Sequence, residues 1–413
     1  MTARPAYDAV LLAGFGGPES PDDVMPFLRN VTRGRGVPEE RLVEVSHHYL
    51  ALGGVSPINE QNRALRVALE AELRRRGVDL PVLWGNRNWG PFLSDVVADA
   101  AGRGLTRLLG LATSAYSSYS GCRQYREDFG GALLAGGLVG TVVLDKVRPY
   151  YDRPGFLAPV ADATVEAVRE LLGDGVTAGE IEVVFTTHSI PTVMADSSGS
   201  AELGDHGSGG AYVAQHLAAC RAVMDRLGRE LGTTPSWQLA YQSRSGPPSV
   251  PWLEPDINDV ITGLSGRRAV VAVPIGFISD HVEVVWDLDH EARDTAAAAG
   301  LRWVRVRTSG TDPRFVAALG DLVQARLDPA AGPVDAGAAG PVRPDFCPVG
   351  CCVGRVRRPT TAAQDSAVDW TDLDVTDDQL AASGIRGTRP RTATAPDVGT
   401  DGDRRPDPAG VAR

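Results

Sequence analysis

The chain has 413 residues, 43% of them hydrophobic, and a net charge of −11. That length predicts two domains rather than one, and the acidic balance argues against nucleic acid or an anionic membrane as the main partner. No apolar run reaches the roughly 18 residues of a spanning helix, and the N-terminus lacks the apolar core of a signal peptide. A cytoplasmic location is therefore expected, where the five cysteines point to thiols or metal ligands rather than structural disulfides.

Tyr7 to Pro18 reads as a strand running into a Gly-rich turn, Gly14-Phe-Gly-Gly-Pro18, with Pro21 in the first turn of a following helix. The turn is neither GxGxxG nor a P-loop; it suits close approach of backbone to a flat ligand, with Phe15 offering a stacking face. From Phe27 to Tyr49 the pattern is irregular. Arg29, Arg33 and Arg35 cluster there, either as a solvated loop or as forks for carboxylates. Gly53-Gly-Val-Ser-Pro-Ile-Asn59 opens an amphipathic helix through 60–76. A strand at Leu80–Trp84, a helix over 92–103 and a strand at Leu105–Thr113 follow. Next come a Tyr- and Ser-rich loop, Ser114–Cys122, a helix over 123–136 and a strand over 139–144.

The alternation then repeats. A helix over 157–172 leads to the strand Glu180–Thr187, with His188-Ser-Ile-Pro191 at its carboxyl end. A Gly/Ser/Asp-rich loop at 196–210 precedes a helix over 211–231, then the strand Trp237–Gln242 ending in Ser243-Arg244. A helix over 257–265 and the strand 268–274 run into Pro274-Ile-Gly-Phe-Ile-Ser-Asp-His-Val-Glu283. Asp280 is placed as the N-cap of a helix over 281–295, with Glu283 three residues on as in a capping box. In that helix Glu283, Asp287, His290 and Glu291 share one face. Like charges at i, i+4 destabilise a helix by a few tenths of a kcal/mol, so an acidic line at a strand mouth invites a cation. A strand over 302–306 and a helix over 312–327 end the folded part. Beyond it, Ala, Gly, Pro, Asp and Arg dominate and predict a mostly disordered tail. Within that tail lies Phe346-Cys-Pro-Val-Gly-Cys-Cys352, whose close thiols suit an iron–sulfur cluster or Zn.

These elements predict an α/β protein of two Rossmann-like halves, residues 1–155 and 156–330, each with a parallel sheet, and a tail over 331–413. Ligands of such sheets bind at the carboxyl ends of strands. There His188, Gln242-Ser243-Arg244 and Asp280-His281-Glu283 accumulate. A single His after a strand is often structural, but three polar loops in one half weigh against that. Histidine suits proton acceptance near neutral pH.

The motifs Thr187-His-Ser-Ile-Pro191, Tyr241-Gln-Ser-Arg-Ser-Gly-Pro247, Pro251-Trp-Leu253, Gly53-Gly-Val-Ser-Pro-Ile58 and Pro274 to Glu283 resemble those of the ferrochelatases, which insert ferrous iron into a porphyrin. The resemblance spans residues 7–327 and is greatest to the actinobacterial branch. It implies a lyase of heme biosynthesis with coproporphyrin III and Fe²⁺ as substrates and coproheme as product. A protoporphyrin IX enzyme, a chelatase for another metal and a non-catalytic tetrapyrrole carrier stay open as alternatives. The resemblance implies His188 as proton acceptor and iron contact, Glu283 as its partner across the macrocycle, and Asp287 and Glu291 as an acidic path for metal or protons. Arg29, Ser56 and Tyr125 match or adjoin propionate contacts. Phe15 stands where some relatives carry an iron-ligating Tyr, which a phenyl ring cannot replace. The resemblance further implies a possible [2Fe–2S] cluster on Cys347, Cys351 and Cys352, with Cys220 favoured over Cys122 as fourth ligand. Contact with a downstream coproheme decarboxylase is a further implication, and a monomer is expected.

Overall fold

The computed structural model describes residues 6–34, 36–200, 202, 204–246, 249–328, 351–354, 360–361 and 368–369. Two four-stranded sheets carry the chain. In the first, β1 (Ala9–Gly14), β2 (Val82–Asn86), β3 (Arg107–Ala112) and β4 (Val143–Lys146) lie in the order β2-β1-β3-β4. In the second, β5 (Ile181–His188), β6 (Ser236–Gln242), β7 (Ala269–Val273) and β8 (Arg302–Arg305) repeat it as β6-β5-β7-β8. Every pairing within these sheets is parallel. Ala9–Gly14 and Ala269–Val273 are buried residue by residue, as strands covered on both faces must be. The order reverses between β1 and β3, and again between β5 and β7. A crevice for ligands therefore opens beyond the carboxyl ends of each pair.

The first half carries α1 (Val24–Val31), α2 (Glu39–Ala51), α3 (Ile58–Arg75), α4 (Leu93–Gly102) and α5 (Gln124–Ala135). Then α6 (Pro154–Gly173) crosses to the second, with α7 (Thr192–Asp196), α8 (Gly210–Leu231), α9 (Ile257–Gly263), α10 (Val282–Trp286), α11 (Arg293–Ala298) and α12 (Pro313–Leu327). Two expectations are corrected here. The irregular stretch after Phe27 contains α1 and α2, because Val24, Phe27, Leu28, Leu42 and Tyr49 bury together against Val282 of the other half. The strand expected over 139–144 begins only at Val143, since Leu138 to Thr141 close a turn.

The halves share one core. Val10, Leu12, Leu65 and Leu69 of the first are continuous with Val183, Phe185, Phe315 and Leu319 of the second. The last helix, α12, returns to pack on α3, where Arg76 meets Asp321 at 2.6 Å. Arg326, buried, donates to Tyr7 Oη at 2.5 Å and Asp145 at 3.2 Å. Of the tail, Cys351, Cys352, Thr360 and Thr361 are buried. Cys352 exchanges hydrogen bonds with Gly199, and Arg126 Nε donates to the Thr361 carbonyl at 2.9 Å.

The helix expected over 281–295 is three pieces: α10, a π-helical turn over Asp287–Ala292, and α11. Its N-cap is His281, with no side-chain cap bond. Asp280 instead pairs with Arg305 at 2.9 Å, since a cation at the end of β8 outcompetes backbone amides for the carboxylate.

Candidate functional site

His188 is the last residue of β5, and Glu283 opens α10 just beyond β7, so both stand at the switch point of the second sheet. His188 Nε2 lies 3.4 Å from Glu283 Oε2, with the side chains 34% and 44% exposed. Nδ1 lies 2.5 Å from the Ser189 carbonyl, which assigns the proton to Nδ1 and turns Nε2 toward the carboxylate. Burial opposes both charges, but each partner outweighs it. His188 is raised above the usual histidine value by Glu283, and Glu283 is held down at about 2 by His188. A macrocycle between the two groups needs about 7 Å, two carbon contacts of ~3.5 Å. At 3.4 Å the two groups stand closer than that.

Asp287 follows one turn on. It accepts from Gln242 Nε2 at 3.2 Å and from the Ser243 hydroxyl. Ser243 adopts a left-handed backbone, φ 60°, uncommon for a non-glycine residue. Burial, reinforced by Glu283 and Glu291 and opposed by Ser243, pushes Asp287 up to about 7. Glu291 is exposed and accepts from Trp286 Nε1 at 2.7 Å, an i, i+5 contact that the π turn creates. Trp286 is stacked between His48 at 4.3 Å and His290 at 5.2 Å. Among the described residues no three His, Cys, Asp or Glu side chains group to hold a metal ion.

The remaining candidates divide. Phe15 is 39% exposed beyond β1, edge-on to Phe27 at 6.4 Å. Ser56 is buried, its N–H bonded to the Pro18 carbonyl at 2.8 Å. Exposed Arg29 has its fork on Glu39, Nε to Oε1 being 3.0 Å. Tyr125 is 3% exposed, packed with Phe129 and Leu144 beneath the Arg87 guanidinium at 4.4 Å. Its place is among the buried residues packed between the first sheet and α4 and α5. A cavity of about 300 Å³ lined by Asn86, Arg87, Ser94 and Asp128 lies between α4 and α5 and includes none of these residues.

The donor set for a cluster does not assemble among the described residues. Cys351 and Cys352 adjoin, Sγ to Sγ 3.7 Å, and Cys347 lies outside the described residues. Cys220 does not group with them. It is sealed in the shared core, where burial pushes its thiol up. Cys122 sits 3.6 Å from Lys146 Nζ.

Sequence reasoning passed over three buried polar residues around the pair. Tyr49 is buried, its hydroxyl raised by burial and by Glu283 and Asp287. Tyr212 and His216 lie on α8 behind His188. Their signal is faint because polar residues on the buried stripe of a helix do not change its period.

Residues 7–327 match the family model described as Ferrochelatase. The chain is 54% identical over 363 residues to the coproporphyrin III ferrochelatase of Leifsonia xyli subsp. xyli, covering 85% of this chain and 92% of that protein. It is 53% identical over 367 residues to the protein of the same description from Streptomyces griseus, covering 87% and 97%. Among solved structures, SirB from Bacillus subtilis with Fe3+ aligns at a TM-score of 0.41 and 12% identity over 79% of this chain and 98% of that one. So distant a likeness bears no weight on the site.

Proposed function

The chain belongs to the ferrochelatase family, and from that premise we propose that it inserts ferrous iron into coproporphyrin III to make coproheme for heme synthesis. It is an enzyme that chelates iron into a porphyrin. The observation that carries the site reading is the His188–Glu283 pair, base beside acid, half-open at a sheet switch point.

Metallation exchanges two pyrrolic protons for one Fe²⁺. A ring laid on the common side of His188 and Glu283 presents its inner nitrogens to both. His188 Nε2, once it is itself neutral, accepts the two pyrrolic protons in turn, passing the first to solvent before it takes the second, and the Glu283 carboxylate holds the imidazolium formed each time. Iron arrives past Glu291 and Asp287, whose oxygens bind it weakly enough to release it. Phe15 supplies an apolar wall but no axial ligand. Arg29 and Ser56 lie on elements suited to the propionates, and Glu39 must yield the Arg29 fork when a propionate takes it. A [2Fe–2S] cluster on the C-terminal cysteines is a separate proposal, tested by visible charge-transfer bands of the purified protein, and no step here passes through it. No helix among the described residues is long and apolar enough to cross a membrane. Cytoplasmic location, a monomeric state and handover of coproheme to a decarboxylase belong to the same proposal.

The test is anaerobic mixing with Fe²⁺ and either coproporphyrin III or protoporphyrin IX. A coproheme Soret band growing faster than without protein, with coproporphyrin the better substrate, is the expected result. Turnover at the uncatalysed rate with both porphyrins overturns the reading.

A further inference from the structure

Behind His188 lies a closed chain of hydrogen bonds in which none of the groups meets solvent. Thr187, Tyr212 and His216 are 1%, 6% and 0% exposed. His216 Nδ1 lies 2.7 Å from the Tyr212 carbonyl, and its Nε2 lies 2.9 Å from Thr187 Oγ1. Thr187 Oγ1 is also 2.9 Å from the Tyr212 hydroxyl, which donates to the His188 carbonyl at 2.8 Å.

The proton directions follow by counting. A carbonyl only accepts, so His216 Nδ1 carries a proton. Burial holds His216 down at about 3, so the ring is neutral and Nε2 is bare. Thr187 then gives its one hydroxyl proton to Nε2. The one proton of Tyr212 is shared between the His188 carbonyl and Thr187 Oγ1. Each donor is used, and the chain ends on the peptide that carries the His188 imidazole.

Its surroundings leave the chain little freedom. Tyr116, from the other half, stacks on His216 at 3.6 Å and 13°, and its hydroxyl donates to the Ile275 carbonyl at 2.9 Å. That carbonyl follows β7, on the segment leading to Glu283. Gly276 lies so close to Thr187 that a Cβ there would overlap the hydroxyl.

We propose that Thr187, Tyr212 and His216 are positioning residues for His188: their hydrogen-bonded chain fixes the His188 peptide, and so the point at which its imidazole meets Glu283. The inference rests on His188 being the group that receives a pyrrolic proton. A misplacement of about 1 Å at a reacting group costs up to about 10²-fold, so small shifts of this backbone are felt in turnover.

Thr187→Val keeps the shape and removes the hydroxyl, whereas Thr187→Ser keeps the hydroxyl and removes a methyl group. Positioning predicts kcat down about tenfold in Thr187→Val with porphyrin KM within about twofold, and near-normal kcat in Thr187→Ser. A packing role predicts the reverse ranking, with Ser the worse substitution. Tyr212→Phe, which removes the bond to His188 itself, is expected to follow Thr187→Val and serves if that variant fails to fold. The second readout needs no turnover. NMR titration of His188 is expected to show its raised pKa falling toward the ordinary value in Thr187→Val and Tyr212→Phe, and keeping its wild-type value in Thr187→Ser. An unchanged His188 titration in both hydroxyl-deleted variants overturns the proposal, even if the wild type proves to lack chelatase activity. Loss of that activity in the wild type bears on the functional reading alone.

Discussion

His188 and Glu283 hold opposite charges in the resting site, and that sets how the protein responds to pH. Glu283, depressed to about 2, contributes stability that is present above the ordinary 4.5 and lost as pH falls through about 2. His188, raised, contributes stability that is present below 6.5 and lost as pH rises through its raised value. The pair thus supports the fold most between these limits. Catalysis wants the other state, a neutral His188 able to take a proton. The acid limb of kcat/KM is expected above 6.5 in the wild type and at lower pH in Glu283→Gln, with turnover down by about 10²-fold or more. His188→Ala should lose turnover by a similar factor while still binding porphyrin; a carrier would change affinity alone. The Asp287 carboxyl is shifted upward, the other way from that of Glu283. Raised to about 7, it is protonated below that value and then offers iron no charge. The iron KM should rise as pH falls through about 7. In Asp287→Asn it should be high throughout and insensitive to pH, with steady-state iron titrations as the measurement.

At the scale of elements, the strands and most helices were legible because their signal is local. Ala269 to Val273 is an apolar β-branched run whichever fold surrounds it. The break in the acidic helix was not legible. A π turn over Asp287–Ala292 has no period of its own in the sequence, and it is held by Trp286 on Glu291 and by Asp289 on Arg305, a residue of another strand. Glycines at close approaches were equally silent. Gly276 reads as one more loop glycine until Thr187 is seen against it. Gly276→Ala is expected to destabilise by about 1–3 kcal/mol, the usual cost of overpacking, and to lower kcat through the shifted Thr187 hydroxyl. Urea unfolding and steady-state kinetics measure the two effects.

Across the whole molecule, two repeated sheets are joined by one core and by the return of α12. Arg326 is the polar counterpart of that joint. Arg326→Ala leaves Asp145 buried with Tyr7 and without this cation, and breaking a buried pair from one side costs about 3–5 kcal/mol. Unfolding should remain a single transition at the lower midpoint, because the halves share their core; two separated transitions in calorimetry would contradict that. By itself the sequence determined the alternation of strands and helices and the two halves, and it singled out His188 at the end of β5 and Glu283 on the segment beyond β7, since polar residues that follow an apolar run are read locally. Only the tertiary structure decided that His188 and Glu283 meet at 3.4 Å, that Asp280 serves Arg305 and not a helix end, and that Tyr125 and Cys220 are core residues. It also decided that a tyrosine and a histidine of α8 stand behind His188. These are distances between segments far apart in the chain, set by how helices pack on sheets, and no local propensity or period encodes them.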